Sequence, residues 1–271
     1  MSDKRYEANI IRATAVEPAN NLETTSAPGV WSIDEVVELQ KKNKWPTAGN
    51  VASDVTDVFS TFLYDGNNSS NTISNNIDLS GKGGLVWIKS RSGSAYHTLF
   101  DTARGVNKAL FSNATDAETS ASYNQTFTSS GFTLNNTFSA VNDVNANYVS
   151  WTFRKAPKFF DVVTYSGTGS AQNISHNLGS VPGMIIIKGT NITENWIVYH
   201  RSLGETKYIQ LNSTGAAGTS SIAWNDTAPT STQFTVNTFN AVNESGYNYV
   251  AYLFAHNNND GEFGPDGDQD I

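Results

Sequence analysis

Two Tyr-His pairs, each with an arginine nearby, are the residues of this sequence whose types best suit ligand binding. Phenol rings stack on sugar faces, and imidazole and guanidinium groups donate hydrogen bonds to hydroxyls. We therefore predict a candidate glycan or receptor contact in each half of the chain, made by Tyr96, His97 and Arg104 in the first half and by Tyr199, His200 and Arg201 in the second. The alternative is that each pair closes a strand end and hydrogen-bonds to a loop.

One tryptophan is a further candidate for this contact. Trp224 stands in the loop-like stretch "SSIAWNDTAPT", where an exposed ring would offer a stacking surface. His176 and His256 have no carboxylate or nucleophile beside them in sequence, so we see no catalytic triad. We expect a protein that is not an enzyme.

An acidic stretch at the end of the sequence invites a calcium interpretation. "DGEFGPDGDQD" supplies Asp266, Asp268 and Asp270 as oxygen ligands, but its spacing does not fit the EF-hand loop. A solvated acidic linker is the favoured alternative. We expect no cofactor, and the three aspartates stand only as weak calcium candidates.

The elements that must position these residues belong to a sequence repeat, because similar stretches occur twice along the chain. "FSAVNDVNANYVSWTF" begins at Phe138 and "FNAVNESGYNYVAYLF" at Phe239, 101 residues later. Lys89 and Lys188 are 99 residues apart, and the Tyr-His pairs 103 apart, so we predict a tandem duplication with small insertions in loops. Letters kept in both copies are expected to build the core. Any binding residues are expected among those that differ.

Each copy shows the patterns of β-strands. "NYVSWTF" alternates in period two, while "GLVWIK" and "GMIIIK" are continuous apolar runs, typical of strands covered on both faces. We predict an all-β protein with two tandem antiparallel β-sandwiches of jelly-roll or lectin-like type. The predicted domains are an N-terminal arm at 1–50, repeat 1 at 51–157, repeat 2 at 158–257 and an acidic Gly-rich tail or linker at 258–271.

The arm contains the one helical pattern of the chain, at about 33–42. Ser32 and Glu35 form a capping box, and Trp31 is placed to pack against Val36. Because so short a helix is marginal alone in water, we expect it to pack on a neighbour. The predicted particle-docking residues are Trp31, Val36, Leu39 and Trp45.

Composition excludes several classes of protein. The net charge is −8 with a pI of about 4.9, so the chain lacks the cationic face of a nucleic-acid or anionic-membrane binder. Cysteine is absent, which removes disulfides and thiolate metal sites. No apolar run approaches a membrane span, and the first ten residues carry no secretory signal pattern, so we expect neither membrane insertion nor export.

Several long stretches resemble tail-fibre-like virion structural proteins of marine tailed phages, especially those of cyanobacteria. These are "SAPGVWSIDEVVELQKKNKWPTAGN", "YVSWTFRKAPKFFDVVTYSGTG", "ISHNLGSVPGMIIIKG" and "NWIVYHRSLGETKYIQLNSTGAAG". The resemblance covers nearly the whole chain and implies a structural or adhesive role, with such modules in tandem. It carries over no catalytic residues.

The sequence therefore predicts a virion structural protein, a tail fibre or tail appendage that contributes to host-surface attachment. Its expected partners are other tail proteins, copies of itself (a trimer being one option) and a host glycan or protein. It would assemble in the host cytoplasm and be located in the virion tail. The alternatives are a capsid-decorating or head appendage protein, a purely structural connector, and a glycan-cleaving tailspike with two paired carboxylates.

Overall fold

The computed structural model describes residues 55–256, except 121–124 and 136–137, together with Asp34, Val37 and Glu38. Those three residues are helical and exposed, and they belong to a separate unit, Met1–Ser53. The described residues from 55 onwards belong to one compact unit, Asp54–Ile271. None of the helices within the described part of the chain is long and apolar enough to cross a membrane.

The first copy of the duplication, here called repeat 1, spans 55–154 and consists of short strands with three single-turn helices. The helices are α1 (Val55–Val58), α2 (Leu79–Lys82) and α3 (Ser139–Asn142). The strands are β1 (Phe59–Asp65), β2 (Ser70–Ser74), β3 (Gly84–Ser90), β4 (Thr98–Asp101), β5 (Lys108–Phe111), β6 (Thr119–Ser120), β7 (Gln125–Thr128), β8 (Gly131–Asn135) and β9 (Asn147–Arg154).

The second copy, repeat 2, spans 160–256 and has the same order of strands without a counterpart of β7, and it lacks counterparts of α1 and α2. Its helix is α4 (Asn240–Asn243). Its strands are β10 (Phe160–Ser166), β11 (Gln172–Ser175), β12 (Pro182–Gly189), β13 (Ile197–His200), β14 (Lys207–Gln210), β15 (Gly218–Thr219), β16 (Gln233–Val236) and β17 (Asn248–Ala255).

Each repeat has one large and one small sheet. Large sheet 1 has the order β1-β9-β3-β4-β5-β6, and large sheet 2 has the order β10-β17-β12-β13-β14-β15. Small sheet 1 is β2-β8-β7 and small sheet 2 is β11-β16. Every strand pairing is antiparallel. The predicted all-β, antiparallel class is confirmed.

The sequence that occurs twice, beginning at Phe138 and at Phe239, forms a hydrogen-bonded corner in each repeat. In repeat 2, Asn243 accepts hydrogen bonds from Thr168 N (2.9 Å) and Gln172 Nε2 (2.6 Å), and donates to Ser170 O (2.6 Å). Tyr249 donates to Asn240 O at 2.6 Å and accepts from the backbone N of Glu244 at 2.8 Å.

Repeat 1 makes the same corner with different neighbours. Asn142 accepts from Asn67 N and Asn71 Nδ2 and donates to Ser69 O, while Tyr148 donates to Ser139 O. Both asparagines and both tyrosines are fully buried. Most residues kept in both copies are therefore core or corner residues, as predicted, but Asn147 and Asn248 are kept and exposed.

Within each repeat, the inner face of the large sheet packs against the small sheet. In repeat 1, Val86 and Ile88 of β3 share a core with Ile73 of β2 and Phe132 of β8. In repeat 2, Ile185 and Ile187 of β12 share the equivalent core with Ile174 and Phe234. Period-two alternation leaves the other side of each strand for a second contact.

That second contact is made between the two repeats. The outer faces of the two large sheets share a third apolar cluster, here called the inter-repeat core. Its buried members are Leu85, Leu99 and Leu110 from repeat 1 and Phe160, Val162, Ile186, Trp196, Val198, Val250 and Tyr252 from repeat 2. Burying one such side chain contributes about 1.5–3 kcal/mol relative to exposure, so the repeats are held together as one body. The continuous apolar runs are thus covered on both faces, as predicted, and the second cover is the other repeat.

Candidate functional site

The two Tyr-His pairs are not structurally equivalent. In the β3–β4 hairpin Leu85 pairs with Asp101, and in the β12–β13 hairpin Met184 pairs with His200. Because Leu85 and Met184 each follow the glycine that opens the apolar run, His200 matches Asp101. The spacing here is 99 residues, the same as for the lysine pair, and the predicted correspondence of His97 with His200 is wrong.

Two hydrogen bonds from a backbone N–H to an asparagine side chain indicate the same correspondence. His97 N donates to Asn113 Oδ1 at 2.8 Å, and Trp196 N donates to Asn212 Oδ1 at 3.0 Å. The two donors are 99 residues apart, and so are the two acceptors. Trp196 is therefore the counterpart of His97. The shared letters "YH" had suggested a shift of four residues that the sheet does not contain.

Tyr96 and His97 lie on the loop before β4. Tyr96 is 45% exposed, and its ring stacks on Phe111 with centroids 4.3 Å apart. Burial, with a smaller effect of Lys89, lowers the pKa of the half-buried His97. Tyr96 therefore presents a ring at the surface, and its role as a glycan contact stays a prediction.

The second predicted group is dispersed. Tyr199 is buried in the core of repeat 2, His200 is half-buried at the end of β13, and Arg201 is exposed in the following turn. His200 Nδ1 accepts a hydrogen bond from Ser202 N at 3.3 Å, which is the turn-closing role considered as the alternative. Tyr199 offers no surface ring.

Trp224 is not an exposed aromatic, so that prediction is wrong. It is 2% exposed, it packs edge-on against Tyr199 with centroids 5.7 Å apart, and its Nε1 donates to Lys207 O at 3.0 Å. The indole packs in the core of repeat 2. Repeat 1 has Gln125 at the corresponding 99-residue spacing, which is also buried.

Arg104 does not join Tyr96 and His97, because it lies beyond the opposite end of β4 with its side chain 2% exposed. Its Nε bonds to Asp101 Oδ2 at 2.5 Å, its Nη1 to Glu118 Oε2 at 3.0 Å and its Nη2 to Leu99 O at 3.1 Å. Burial is the largest single effect and acts to lower the pKa of Arg104, but Asp101, Tyr252 and Glu118 together outweigh it, so the pKa lies above its ordinary value. The guanidinium is therefore charged.

This charged group sits where the repeats meet. Tyr252 of repeat 2 donates to Asp101 Oδ2 at 2.7 Å, and Glu118 N donates to Thr190 O at 2.7 Å. Lys108 Nζ completes the group at 3.2 Å from Glu118 Oε1. Two carboxylates and two cations are thus joined in one network.

Beside this network an open cavity of about 340 Å³, here called the cleft, lies between the repeats. Repeat 1 lines it with Ala103, Arg104, Lys108 and Glu118. Repeat 2 lines it with Thr164, Tyr165, Ser166, Thr190, Asn248 and Tyr249. Its walls carry a guanidinium, an ammonium, a carboxylate, hydroxyls and an amide, which together suit a ligand rich in hydroxyl groups.

Apart from Arg104, sequence reasoning did not identify the cleft residues. The sequence did contain a signal for the charged network. When the two copies are aligned with a spacing of 99 residues, several residues of the network differ from their counterparts in the other copy. Asp101 corresponds to His200 and Glu118 to Ala217, while Tyr252 corresponds to Trp151 at the 101-residue spacing of the corner. The misplaced Tyr-His correspondence hid this contrast.

The remaining predicted sites fall outside the described residues. These are the docking residues Trp31, Val36, Leu39 and Trp45 and the weak calcium candidates Asp266, Asp268 and Asp270. Among the residues that the structure does describe, no group of three or more His, Asp or Glu side chains is placed to hold a metal ion.

The pattern of one protein family, described as "Domain of unknown function (DUF7483)", matches residues 54–265. The match spans both repeats and most of the chain. No curated protein and no solved structure matches this chain.

Proposed function

The chain belongs to the DUF7483 family, and we propose that it is a structural protein of a phage virion, carried on the tail as a fibre or fibre-like appendage. In this proposal it contributes to attachment to the host surface, and its two repeats are tandem β-sandwich modules of jelly-roll or lectin-like type. The support is the resemblance of its long sequence stretches to tail-fibre-like proteins, together with one structural observation.

That observation is the inter-repeat core, an apolar cluster that both repeats share. Tyr252 and Trp196 of repeat 2 are fully buried against repeat 1, and Trp196 Nε1 donates to Phe111 O at 2.9 Å and Ala114 O at 3.1 Å. Repeated modules joined by a buried core suit an appendage that must hold a binding surface away from a particle. Residues 1–50 would dock this body onto the particle.

The charges of the cleft favour binding over cleavage. Glycoside hydrolysis requires two carboxyl groups that both reach the substrate. Asp101 and Glu118 bind the same guanidinium, but Asp101 is fully buried and only Glu118 lines the cleft. The proposed activity is therefore adhesion, in which many weak polar contacts gain strength from several copies.

Localisation tests the proposal. Phage particles that carry this protein with an epitope tag would be labelled with gold-conjugated antibody and imaged by electron microscopy. We expect labels on the tail. Labels on the head would instead support a capsid-decorating or head appendage protein, and absence from purified particles would refute a virion role.

Adsorption separates an adhesin from a connector. Purified full-length protein, fluorescently labelled, is expected to bind host cells and to compete with phage adsorption. If the label lies on the tail but the protein binds no cells, the protein is a structural connector. The arm is tested separately by deleting residues 1–50, which should abolish incorporation into particles.

A further inference from the structure

We propose that the cleft between the repeats binds one or two units of a neutral saccharide through hydrogen bonds to its hydroxyl groups. The proposal rests on the proposed function for the source of the sugar, a host-surface glycan, but the site is argued from the cleft alone. Its volume of about 340 Å³ lies at the small end of the range for ligand sites.

Charge balance points to a neutral ligand. Asp101 and Glu118 contribute two negative charges, and Arg104 and Lys108 contribute two positive ones, all within one network. An anionic ligand would add a net negative charge to a network whose own charges already balance. Hydroxyl groups can accept from the cations and donate to Glu118 while these ion pairs stay in place.

The walls retain hydrogen-bonding capacity for such hydroxyls. Arg104 uses three of its five N–H donors in the bonds given above, and each carboxylate oxygen of Glu118 makes one. The Lys108 side chain is 44% exposed, so its ammonium reaches the open side of the cleft. Lys108 and Glu118 thus place a donor and an acceptor side by side, 3.2 Å apart, where neighbouring hydroxyl groups of a sugar could bind both.

Repeat 2 supplies the facing wall. Thr164, Ser166 and Asn248 are exposed at this edge of large sheet 2, and Ser166 Oγ donates to Asn248 Oδ1 at 2.9 Å. That bond leaves the Asn248 amide NH₂ pointing to no partner among the described residues. The rings of Tyr165 and Tyr249 stack on each other inside repeat 2, so recognition would depend on hydrogen bonds rather than ring stacking.

The duplication supplies matched controls for two variants. Thr164→Trp would fill the cleft with an indole. Its control, Leu63→Trp, places the same side chain at the corresponding position of repeat 1, where Leu63 is 56% exposed. Asn248→Ala removes an amide from the wall, and Asn147→Ala removes its counterpart at the start of β9. Both control positions are exposed and outside the cleft.

The test measures binding of free sugars to the full-length protein by saturation-transfer NMR and by titration. The probes are neutral hexoses, N-acetylhexosamines and their disaccharides, with glucuronate as the acidic comparison. At least one neutral sugar is expected to bind. Its affinity should fall more than tenfold in Thr164→Trp and about fivefold to tenfold in Asn248→Ala. Leu63→Trp and Asn147→Ala should bind as the wild type does.

Three results would overturn the inference: no neutral sugar binds, glucuronate binds better than every neutral sugar, or Thr164→Trp binds as well as Leu63→Trp does. Circular dichroism of all four variants shows whether a loss reflects the cleft or the fold. Failure here is distinguishable from failure of the proposed function. Tail labelling with unaffected sugar binding in Thr164→Trp refutes only the cleft, whereas cleft-dependent sugar binding by a protein absent from particles refutes only the virion role.

Discussion

The phenol of Tyr252 donates a 2.7 Å hydrogen bond to Oδ2 of Asp101, across 151 residues of sequence and between the two repeats. Both residues are fully buried, and Asp101 also binds the guanidinium of Arg104. Burial raises the pKa of Tyr252 well above its usual value, so the hydroxyl keeps its proton and donates it. One hydrogen bond therefore connects the last strand of repeat 2 to the charged network of repeat 1.

Removing the hydroxyl of Tyr252 should lower the stability of the folded repeats. We expect Tyr252→Phe to lower the free energy of unfolding by about 1.5–3 kcal/mol, because a bond to a buried charged acceptor is lost. The measurement is urea unfolding followed by tryptophan fluorescence. Tyr96→Phe is the control, with a change near zero at an exposed ring. Equal effects of the two substitutions would contradict a role for the Tyr252–Asp101 bond.

His176 should make stability depend on pH. Burial is the main cause that lowers its pKa from 6.5, and its Nδ1 accepts from Leu178 N at 3.2 Å. The folded state therefore binds the proton more weakly than the unfolded state does. Stability is fully present above pH 6.5 and is lost as the pH falls below 6.5 toward the lower folded-state pKa.

The variant His176→Asn isolates this effect, because repeat 1 has Asn75 at the same place, accepting from Ile77 N at 3.2 Å. Urea unfolding between pH 7.5 and pH 5, a range chosen around the pKa of histidine, would be compared for wild type and variant. The wild type should lose more stability over this range. Parallel curves would show that His176 contributes nothing to the pH dependence.

Gln125 should be a position where substitution stabilises the protein. It is fully buried at the start of β7, and neither its Oε1 nor its Nε2 has a hydrogen-bond partner among the described residues. Gln125→Leu removes this buried amide, and we expect the free energy of unfolding, measured in urea, to rise by about 1–3 kcal/mol. Gln172→Leu is the contrast and should destabilise, because Gln172 Nε2 donates to Ser166 O and Asn243 Oδ1. A loss of stability in Gln125→Leu would count against the prediction.

The repeated corner should tolerate change poorly in both copies. Asn243→Ala removes three hydrogen bonds and leaves Thr168 N and Ser170 O without that partner, so we expect a loss of about 2–4 kcal/mol. Asn142→Ala should cost a similar amount, since Asn142 makes the equivalent bonds to Asn67 N and Ser69 O. Ser245→Ala, exposed in the adjoining turn, serves as the control in urea unfolding. If either asparagine variant lost less free energy of unfolding than Ser245→Ala does, the corner would not contribute to the stability of that repeat.

The duplication, the strands and the buried corner could be predicted because local patterns encode them. Alternation in "NYVSWTF" depends only on the geometry of one strand, and the kept letters "AVN" mark a corner that every copy must build. Tyr148 and Tyr249 were therefore found without knowledge of the rest of the fold.

The differences between the copies mark residues of the charged network, but the cleft itself could not be located from the sequence, because it depends on how one sheet lies on another. Arginine is typical of a surface ligand contact, yet the side chain of Arg104 is buried against Asp101, to which Tyr252 of repeat 2 also donates. The exposure of Trp224 was misjudged for a similar reason. Polar neighbours in sequence suggested a loop, but its ring fills the end of a core that only the folded sheet defines.

The interface between the repeats has consequences for how such a chain can evolve by copying its own parts. Tyr252 and Trp196 contact repeat 1 through groups that their counterparts, Trp151 and His97, do not possess. The two halves have therefore diverged into a complementary pair. A recombination event that replaced one half by the other would lose the partner residues on both sides, whereas the pair as a whole could be duplicated or exchanged between genes as a single heritable block.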